Sequence, residues 1–378
     1  MNLTLNEEQK ALESSIARVL QDRYSFEQRH AILTSQQGYS SDLWGQYAEL
    51  GWLALPFSEQ DGGLGFGAAE VMILMEQFGR HLVLEPYWST VLVGGGFLSH
   101  AQDAVKSEYL PRLLAGDAHC AFAFAEKQSR FNLADVQTVA ESVSKGWKLR
   151  GAKTVVLNAP LADIAIVTAR TSGGEQDEQG VSLFAIPLKQ AKNLDQRNYR
   201  NFDGSQAAEL QFDGTEVGQD HLIGEEGKGL EIVRKILGLA LLGLGAEAVG
   251  AMSVLQADTL EYARTREQFG VPIANFQVLQ HRMVDMFMEL EQSRSLLYMA
   301  AVKIDEGDLN QIDYATAALK AQTGKAGRLM SQESVQIHGG MGMTEELRVG
   351  HYFKRLMAIE STLGNTEFYL KRFAKLAA

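Results

Sequence analysis

The stretch that decides the fold lies in the last third of the chain and reads Arg266-Glu267-Gln268-Phe269-Gly270-Val271-Pro272-Ile273. Glycine and proline near its end predict that one long helix stops close to Gly270, and Asn275 is a good N-cap for the next helix. An arginine at such a turn presents several planar donors to a phosphate, and the new helix N-terminus adds backbone amides. The same composition is also typical of a charged turn that caps a helical bundle, so both interpretations stay open here.

A second motif begins at Gln336 and reads Gln336-Ile337-His338-Gly339-Gly340-Met341-Gly342-Met343-Thr344. Paired glycines after a helix allow the backbone to approach a ligand closely. A glycine helix stop without any ligand is also common. A single histidine such as His338 is more often structural than catalytic.

Hydrophobic spacing divides the chain into three zones. Residues 1–117 have helical spacing, and Asn6 followed by Gln9 predicts a capping box at the first helix. Residues 118–225 contain short β-branched or aromatic runs, which predict a small antiparallel β domain. Residues 226–378 return to helical spacing. The middle zone lacks strand–helix alternation, which disfavours a doubly wound nucleotide-binding sheet.

The last zone predicts four long helices with short connections, which is typical of an antiparallel bundle. The second helix should open at Asn275 and stop at Gly307. The third should extend from about Asn310 to His338, and the fourth should carry residues 349–363. One apolar stripe is predicted on the second helix, formed by Phe276, Leu279, Met283, Met286, Phe287, Leu290 and Leu297.

Composition limits the class of protein. The 378 residues carry a formal charge of −12, which disfavours a broad nucleic-acid surface. The single cysteine, Cys120, excludes an internal disulfide and is typical of a reducing compartment, so we expect a cytoplasmic protein. The polar start, Met1 to Lys10, does not have the pattern of a signal peptide. The longest uncharged apolar run, Ile236 to Ala246, is too short to span a bilayer and predicts a buried helix. We predict no metal site.

In this order and at this separation, the two motifs resemble those of the acyl-CoA dehydrogenase family. Further segments share the resemblance, namely Leu50-Gly51-Trp52-Leu53-Ala54-Leu55-Pro56, Asp61-Gly62-Gly63-Leu64-Gly65 and Tyr109-Leu110-Pro111-Arg112. The resemblance implies a mainly α fold of three domains, with a central β domain between an N-terminal helical domain and a C-terminal four-helix bundle. It also implies FAD-dependent α,β-dehydrogenation of an acyl-CoA thioester, with an electron acceptor such as an electron-transfer flavoprotein.

The resemblance also assigns cofactor contacts. In similar proteins the arginine of this motif, here Arg266, holds the adenosine half of an FAD whose flavin ring lies in a neighbouring subunit. The other matching cofactor positions are Gln268, Phe269, Gln277, Gln336, Gly339 and Gly340.

The chain departs from the family where the base is expected. Counting from Gly339 without a gap, the usual catalytic glutamate falls on Leu363. Some members carry the base on the long helix before the arginine motif, and that position is Ala240 here. The substrate-contacting arginine beside it is replaced by Leu241. None of these side chains can accept a proton.

The flavin-ring side departs as well. The usual Thr-Glu-Pro segment reads Ala125-Glu126-Lys127. The usual Lys-x-Trp-Ile-Thr strand reads Lys153-Thr154-Val155-Val156-Leu157, so the hydroxyl that could bond the flavin is absent. The resemblance therefore retains the adenosine side and loses the ring side, the base and the substrate arginine.

This pattern of retained and replaced family positions predicts a base-lacking subunit. The subunit would share FAD with a homologous acyl-CoA dehydrogenase chain in a tetramer. Three alternatives remain, one of which is a different flavin chemistry on this fold, such as nitroalkane oxidation or N-hydroxylation, which nothing in the sequence selects. A homomeric dehydrogenase could use a relocated base, either Glu360, three residues before Leu363, or Glu247, which is better explained as a paired core carboxylate. The chain could also be a non-catalytic scaffold without flavin. The catalytic residue is therefore left unassigned.

Overall fold

The computed structural model describes residues 5–377, so residues 1–4 and 378, at the ends of the first and third predicted zones, lie outside the described residues. The helices are α1 (Glu7–Arg23), α2 (Phe26–Thr34), α3 (Ser41–Glu49), α4 (Ala68–His81), α5 (Gly96–Leu98), α6 (Asp103–Leu114), α7 (Gly229–Thr265), α8 (Gln277–Glu306), α9 (Leu309–His338), α10 (Arg348–Ser361) and α11 (Thr366–Ala377). The strands are β1 (Cys120–Ala123), β2 (Val139–Val143), β3 (Gly146–Leu157), β4 (Ile164–Arg170), β5 (Val181–Pro187), β6 (Leu194–Arg200), β7 (Gln206–Gly218), β8 (Leu222–Ile223), β9 (Glu267–Gln268) and β10 (Val271–Pro272).

The chain divides into two compact units. The helical unit consists of Met1–Ala31, Gly67–Val83 and Leu241–Ala378, and the sheet unit consists of Ile32–Phe66 and Leu84–Ala240. The predicted fold class, mainly helical with a central β domain, is confirmed. The predicted domain boundaries at residues 117 and 225 stay predictions.

Local capping signals in the helical unit act as the sequence predicts. Asn6 and Gln9 form the predicted capping box, with each side chain accepting from the other residue's backbone N–H. Helix α8 stops before Gly307, which has a φ of 81°, in the left-handed region that favours glycine. Helix α9 begins after Asp308, whose carboxylate accepts from two backbone amides, and ends at His338 as predicted.

Three details of the predicted bundle are wrong. Residues 226–377 contain five helices rather than four, because α10 ends at Ser361 and α11 follows a turn. Helix α7 ends at Thr265 and α8 begins at Gln277, because β9 and β10 form a hairpin between them and Ile273–Asn275 is a short 3-10 turn. Phe287, which the spacing placed on the buried stripe, is 53% exposed.

Helix α7 is the apolar centre of the fold. Within its length an 18-residue window has a mean hydropathy of 1.7, enough by composition to cross a membrane, but 89% of that window is buried inside the protein. This agrees with the predicted buried helix around Ile236 to Ala246. In the helical unit, α4 and α7 cross with their backbones in contact. A Cβ atom on Gly79 would lie 2.0 Å from the Glu247 carbonyl oxygen, and one on Gly250 would lie 2.0 Å from that of Glu76.

The sheet unit contains an eight-stranded sheet in the order β6-β7-β3-β2-β4-β5-β8, with β1 also paired to β4. Most pairs are antiparallel, as predicted, but β1 and β4 are parallel and β2 meets β4 in parallel at Val139 and Arg170. The sheet is therefore mixed rather than wholly antiparallel. Alternation along a sequence indicates that a strand exists and which face is buried, but it does not indicate the direction of the neighbouring strand.

A buried ion pair holds the centre of the sheet unit together. The Lys153 ammonium lies 2.6 Å from the Glu126 carboxylate and donates to the Thr168 hydroxyl at 2.8 Å. The same carboxylate accepts from the backbone amides of Gln137 and Thr138, so the loop after β1 is tied to the segment before β2 as well as, through Lys153, to β3 and β4. Burial lowers the pKa of Lys153 to about 8, against the opposing charge of Glu126.

Replacing Lys153 by methionine should destabilise the protein because the Glu126 carboxylate would remain buried without its counter-charge. We expect a loss of about 3–5 kcal/mol in the free energy of unfolding, measured by urea denaturation. The exposed Lys145→Met variant is the control and should change stability by less than about 0.5 kcal/mol. Adding Glu126→Gln to Lys153→Met removes the uncompensated charge, keeps an acceptor oxygen near the Gln137 and Thr138 amides, and should recover much of the loss. No recovery would show that the pair is not the source of the effect.

Candidate functional site

All predicted cofactor residues lie in the helical unit, at one end of its bundle. Three structural pieces carry them: the β9–β10 hairpin with the residue before it, the first turn of α8, and the end of α9 with the turn that follows. The residues are Arg266, Gln268, Phe269, Gln277, Gln336, Gly339 and Gly340. Their contacts with FAD stay predictions, whereas their placement together is a finding.

The hairpin has a two-residue turn at its tip. Gln268 pairs with Val271, and Phe269 and Gly270 between them have φ values of 57° and 79°. Phe269 is 93% exposed, and its ring edge faces the Phe276 ring at 6.1 Å. A large aromatic residue in the left-handed region carries backbone strain, and such strain is more common at functional positions than elsewhere.

Arg266 is held by its backbone and free at its side chain. Its N–H donates to the Tyr262 carbonyl at 2.8 Å, and its own carbonyl accepts from the Ile273 N–H at 2.8 Å. Among residues 5–377 the exposed guanidinium forms no hydrogen bond or ion pair. An unpaired guanidinium can bind a phosphate in a bidentate manner. Gln277, the exposed first residue of α8, offers a further amide donor.

The glycine turn leaves space for a ligand. Gly339 has φ 61° and ψ −139°, a conformation open essentially to glycine alone. A Cβ atom on Gly339 or Gly340 would meet nothing within 4 Å, so the surface outside both residues is open. Gln336 is exposed one turn earlier on α9. The exposed donors and open backbone fit the adenosine and diphosphate half of FAD.

The usual base position is apolar and its loop is rigidly held. Leu363 is buried, has a φ of 59°, and its carbonyl accepts from the Tyr369 hydroxyl at 3.0 Å. The carbonyl of Gly364 accepts from the Lys320 ammonium at 2.8 Å. Leu363 lies beyond the end of α10 at Ser361, so the assumption that it continues the helix of Glu360 is wrong.

Glu360 is engaged as a helix cap. Its carboxylate is buried, accepts from the backbone N–H of Thr366 at 3.0 Å and from the Thr366 hydroxyl at 3.1 Å, and lies 3.6 Å from Arg328. Thr366 opens α11, so the carboxylate satisfies an otherwise unpaired amide at a helix N-terminus. These contacts explain Glu360 without a catalytic role.

The second base position is equally closed. Ala240 is fully buried, and its carbonyl accepts from the indole N–H of Trp88 at 2.8 Å. Leu241 is also buried. Glu247 is buried and forms a two-bond ion pair with Arg355, at 2.5 and 2.8 Å. The interpretation of Glu247 as a paired core carboxylate is therefore confirmed.

The ring-side positions do not fit a flavin hydrogen bond. Strand β3 shifts its register on β7 between Lys153 and Val156, and Val155 within the shift has a φ of 49° and is 51% exposed. Leu157 is half-buried. Neither side chain carries a donor or an acceptor, so the adenosine half of the site fits FAD and the ring half does not.

Sequence reasoning missed the residues that support this site. The sequence contains Lys153 and Glu126 within the ring-side segments, but it does not predict that they form an ion pair. Tyr262 lies four residues before Arg266, a helical spacing that could have marked it, and Lys320 is a lone cation in the apolar run of α9. Trp88 carried no signal.

A groove in the sheet unit contains none of the predicted site residues. Its volume is about 620 Å³, and its lining includes Asp61, Lys106 and Leu110. Within residues 5–377, no group of three or more His, Cys, Asp or Glu side chains could hold a metal ion.

The chain matches three consecutive domain profiles, "Acyl-CoA dehydrogenase, N-terminal domain" over residues 6–117, "middle domain" over 121–215 and "C-terminal domain" over 227–377. Mitochondrial isovaleryl-CoA dehydrogenase from Oryza sativa subsp. japonica is 30% identical over 334 residues, which are 86% of this chain and 80% of that protein. The chain belongs to the acyl-CoA dehydrogenase family. It is a flavoprotein oxidoreductase whose cofactor is FAD.

Solved structures agree with this assignment. The FAD complex of PigA superposes with a TM-score of 0.91 at 26% identity, covering 99% of this chain and 98% of that chain. The Tcur3481-Tcur3483 steroid ACAD superposes with a TM-score of 0.88, also at 26% identity and with the same coverage of each chain.

Removing the Arg266 side chain should weaken flavin retention. A charge-assisted bond of about 1.5–3 kcal/mol corresponds to a loss of FAD affinity of about tenfold to a hundredfold for Arg266→Ala, measured by flavin fluorescence on the purified assembly. Arg264→Ala is the matched control, because Arg264 is another exposed arginine in the last turn of α7. Undiminished FAD affinity in Arg266→Ala would contradict the assignment.

Proposed function

We propose that this chain is the base-lacking subunit of a heteromeric, FAD-dependent dehydrogenase that oxidises an acyl-CoA thioester between its α and β carbons. The observation that carries the proposal is the state of the two base positions. Leu363 and Ala240 are apolar and buried, and their carbonyls are bonded to Tyr369 and Trp88. No small side-chain movement would supply a proton acceptor there.

The chemistry explains why a partner is needed. When bound, FAD supplies the hydride acceptor, and a positioned base must remove the α-proton. This chain's residues perform the binding part of the reaction: Arg266 neutralises phosphate charge, Gln277 and Gln336 offer amide donors, and the turn at Gly339 admits the ligand to the backbone. Proton abstraction and the contacts to the flavin ring fall to the partner.

The expected partner is a homologous dehydrogenase chain that carries the base. Large apolar side chains are exposed at the cofactor end of the bundle, including Phe269, Met341 and Met343, and others follow one face of α8 at Val284, Phe287 and Met288. Exposed apolar surface of this kind indicates a protein interface.

One segment favours a particular branch of the family. Gly350-His351-Tyr352-Phe353-Lys354-Arg355-Leu356 resembles the small subunit of pimeloyl-CoA dehydrogenase. An electron-transfer flavoprotein as electron acceptor and a cytoplasmic location complete the proposal.

Flavin stoichiometry tests the assembly. A mixed tetramer in which only the partner's ring sites are competent should hold half as many flavins as chains, because symmetry makes the sites lined by Val155 and Leu157 equivalent to each other. The measurement is flavin absorbance against protein concentration in the complex isolated with its co-purifying dehydrogenase chain. One tightly bound FAD per chain would reject the half-site arrangement.

Turnover tests the missing base. We expect the chain alone to oxidise saturated acyl-CoA substrates at no more than background rate, and the co-purified complex to be active, in an assay with an artificial electron acceptor. Glu360→Gln should leave the activity of the complex unchanged, because Glu360 caps α11. If the chain alone turns over and Glu360→Gln abolishes that turnover, Glu360 is a relocated base and the homomeric alternative is correct.

The scaffold alternative makes a different prediction. A scaffold that makes no contact with flavin would leave the visible flavin absorption of the complex unchanged when Arg266 is replaced by alanine. A visible spectrum of the purified complex separates the two. Bound flavin that is lost on Arg266→Ala supports the heteromeric dehydrogenase.

A further inference from the structure

A seam between α7 and α9 lies directly behind the cofactor residues. Thr259 donates its hydroxyl to the Ser334 hydroxyl at 3.0 Å, and both side chains are fully buried. One turn closer to the cofactor end, the Tyr262 ring stacks on the His338 ring with centroids 4.3 Å apart and planes 27° apart. The Tyr262 hydroxyl also donates to the His338 carbonyl at 3.4 Å.

The His338 side of this contact is fixed. The His338 Nδ1 atom lies 2.7 Å from the Ser334 carbonyl oxygen. A carbonyl can only accept, so Nδ1 carries the hydrogen and the ring orientation is set. The carbonyl of His338 lies at the junction between α9 and the 3-10 turn Gly339–Met343. The Tyr262 hydroxyl donates to this junction immediately before Gly339.

The Tyr262 side of the contact leads to the arginine motif. The Tyr262 carbonyl accepts from the Arg266 N–H at 2.8 Å, which closes the last helical turn of α7. A single residue therefore bonds to Arg266 through its backbone and to the residue before the glycine turn through its side chain.

We propose that Tyr262 is a positioning residue for the FAD site, which holds the Arg266 hairpin and the turn at Gly339 in a fixed relation so that both reach the same FAD. The inference rests on the proposed adenosine half-site and adds the residue that aligns its two pieces. Tyr262 does not touch the ligand. It acts through Arg266 and Gly339, and its loss should loosen their spacing rather than remove a contact.

The test is FAD titration of the purified assembly, followed by flavin fluorescence. We expect FAD affinity to fall about threefold in Tyr262→Phe, which keeps the ring and loses the hydroxyl, and about tenfold in Tyr262→Leu, which loses both contacts. The turnover number of the FAD-saturated complex should not change. Tyr314→Leu is the matched control, because the half-buried Tyr314 stacks on Phe373 at 4.6 Å within the same unit. This control should lower the thermal unfolding midpoint without changing FAD affinity.

A double-mutant cycle separates positioning from general stability. In the Arg266→Ala background, Tyr262→Leu should change FAD affinity by less than about threefold, because its effect passes partly through Arg266. Unchanged FAD affinity in Tyr262→Leu, an equal loss in Tyr314→Leu, or full additivity with Arg266→Ala would each overturn the inference. If Tyr262→Leu does not fold, Tyr262→Phe decides the question. If Arg266→Ala itself has no effect, the proposed half-site fails, which is a different result.

Discussion

The buried ammonium of Lys320 is the interaction on which the C-terminal part of the molecule depends. It donates to the carbonyls of Ile359, Glu360 and Gly364, which are backbone acceptors at and beyond the end of α10. The Ile359 carbonyl also accepts from the Thr362 N–H, but without Lys320 the carbonyls of Glu360 and Gly364 would lose this donor, at a cost of about 1–3 kcal/mol each. Burial lowers the pKa of Lys320 to about 8, with the Glu360 charge opposing the shift. The buried ammonium loses its hydration, and its three bonds to backbone carbonyls stabilise the end of α10 and the turn at Leu363.

The same turn keeps its backbone conformation without a polar side chain at position 363. Lys320 holds one carbonyl of the loop, Tyr369 holds another, and Glu360 caps the helix that follows. The backbone around Leu363 remains in a strained left-handed conformation, although the side chain is a leucine. The supporting bonds are all to backbone atoms or between other side chains, so the identity of residue 363 could change without disturbing them.

The contrast between the residues predicted on the adenosine side and those on the ring side has a physical basis. The retained half depends on an unpaired guanidinium, exposed amides and a glycine conformation, all of which bind a charged diphosphate from outside the bundle. On the ring side, apolar side chains stand where the family resemblance implies a tryptophan at Val155, a hydroxyl at Leu157 and a carboxylate at Leu363. The buried Lys153–Glu126 pair behind the ring-side strand is nevertheless complete. The scaffold of that half is therefore maintained for folding, independently of flavin chemistry.

The sequence alone determined the features that are local along the chain. Capping at Asn6, the stop at Gly307, the end of α9 before Gly339 and the family motifs depend on neighbouring residues, because φ preferences and cap hydrogen bonds act within a few positions. Only the tertiary structure decided the contacts between distant groups. Lys153 meets Glu126 across 27 positions, and Lys320 meets Gly364 across 44. The parallel pairing of β1 with β4, the exposure of Phe287 and the capping role of Glu360 also follow from how elements pack, which hydrophobic spacing within one element does not specify.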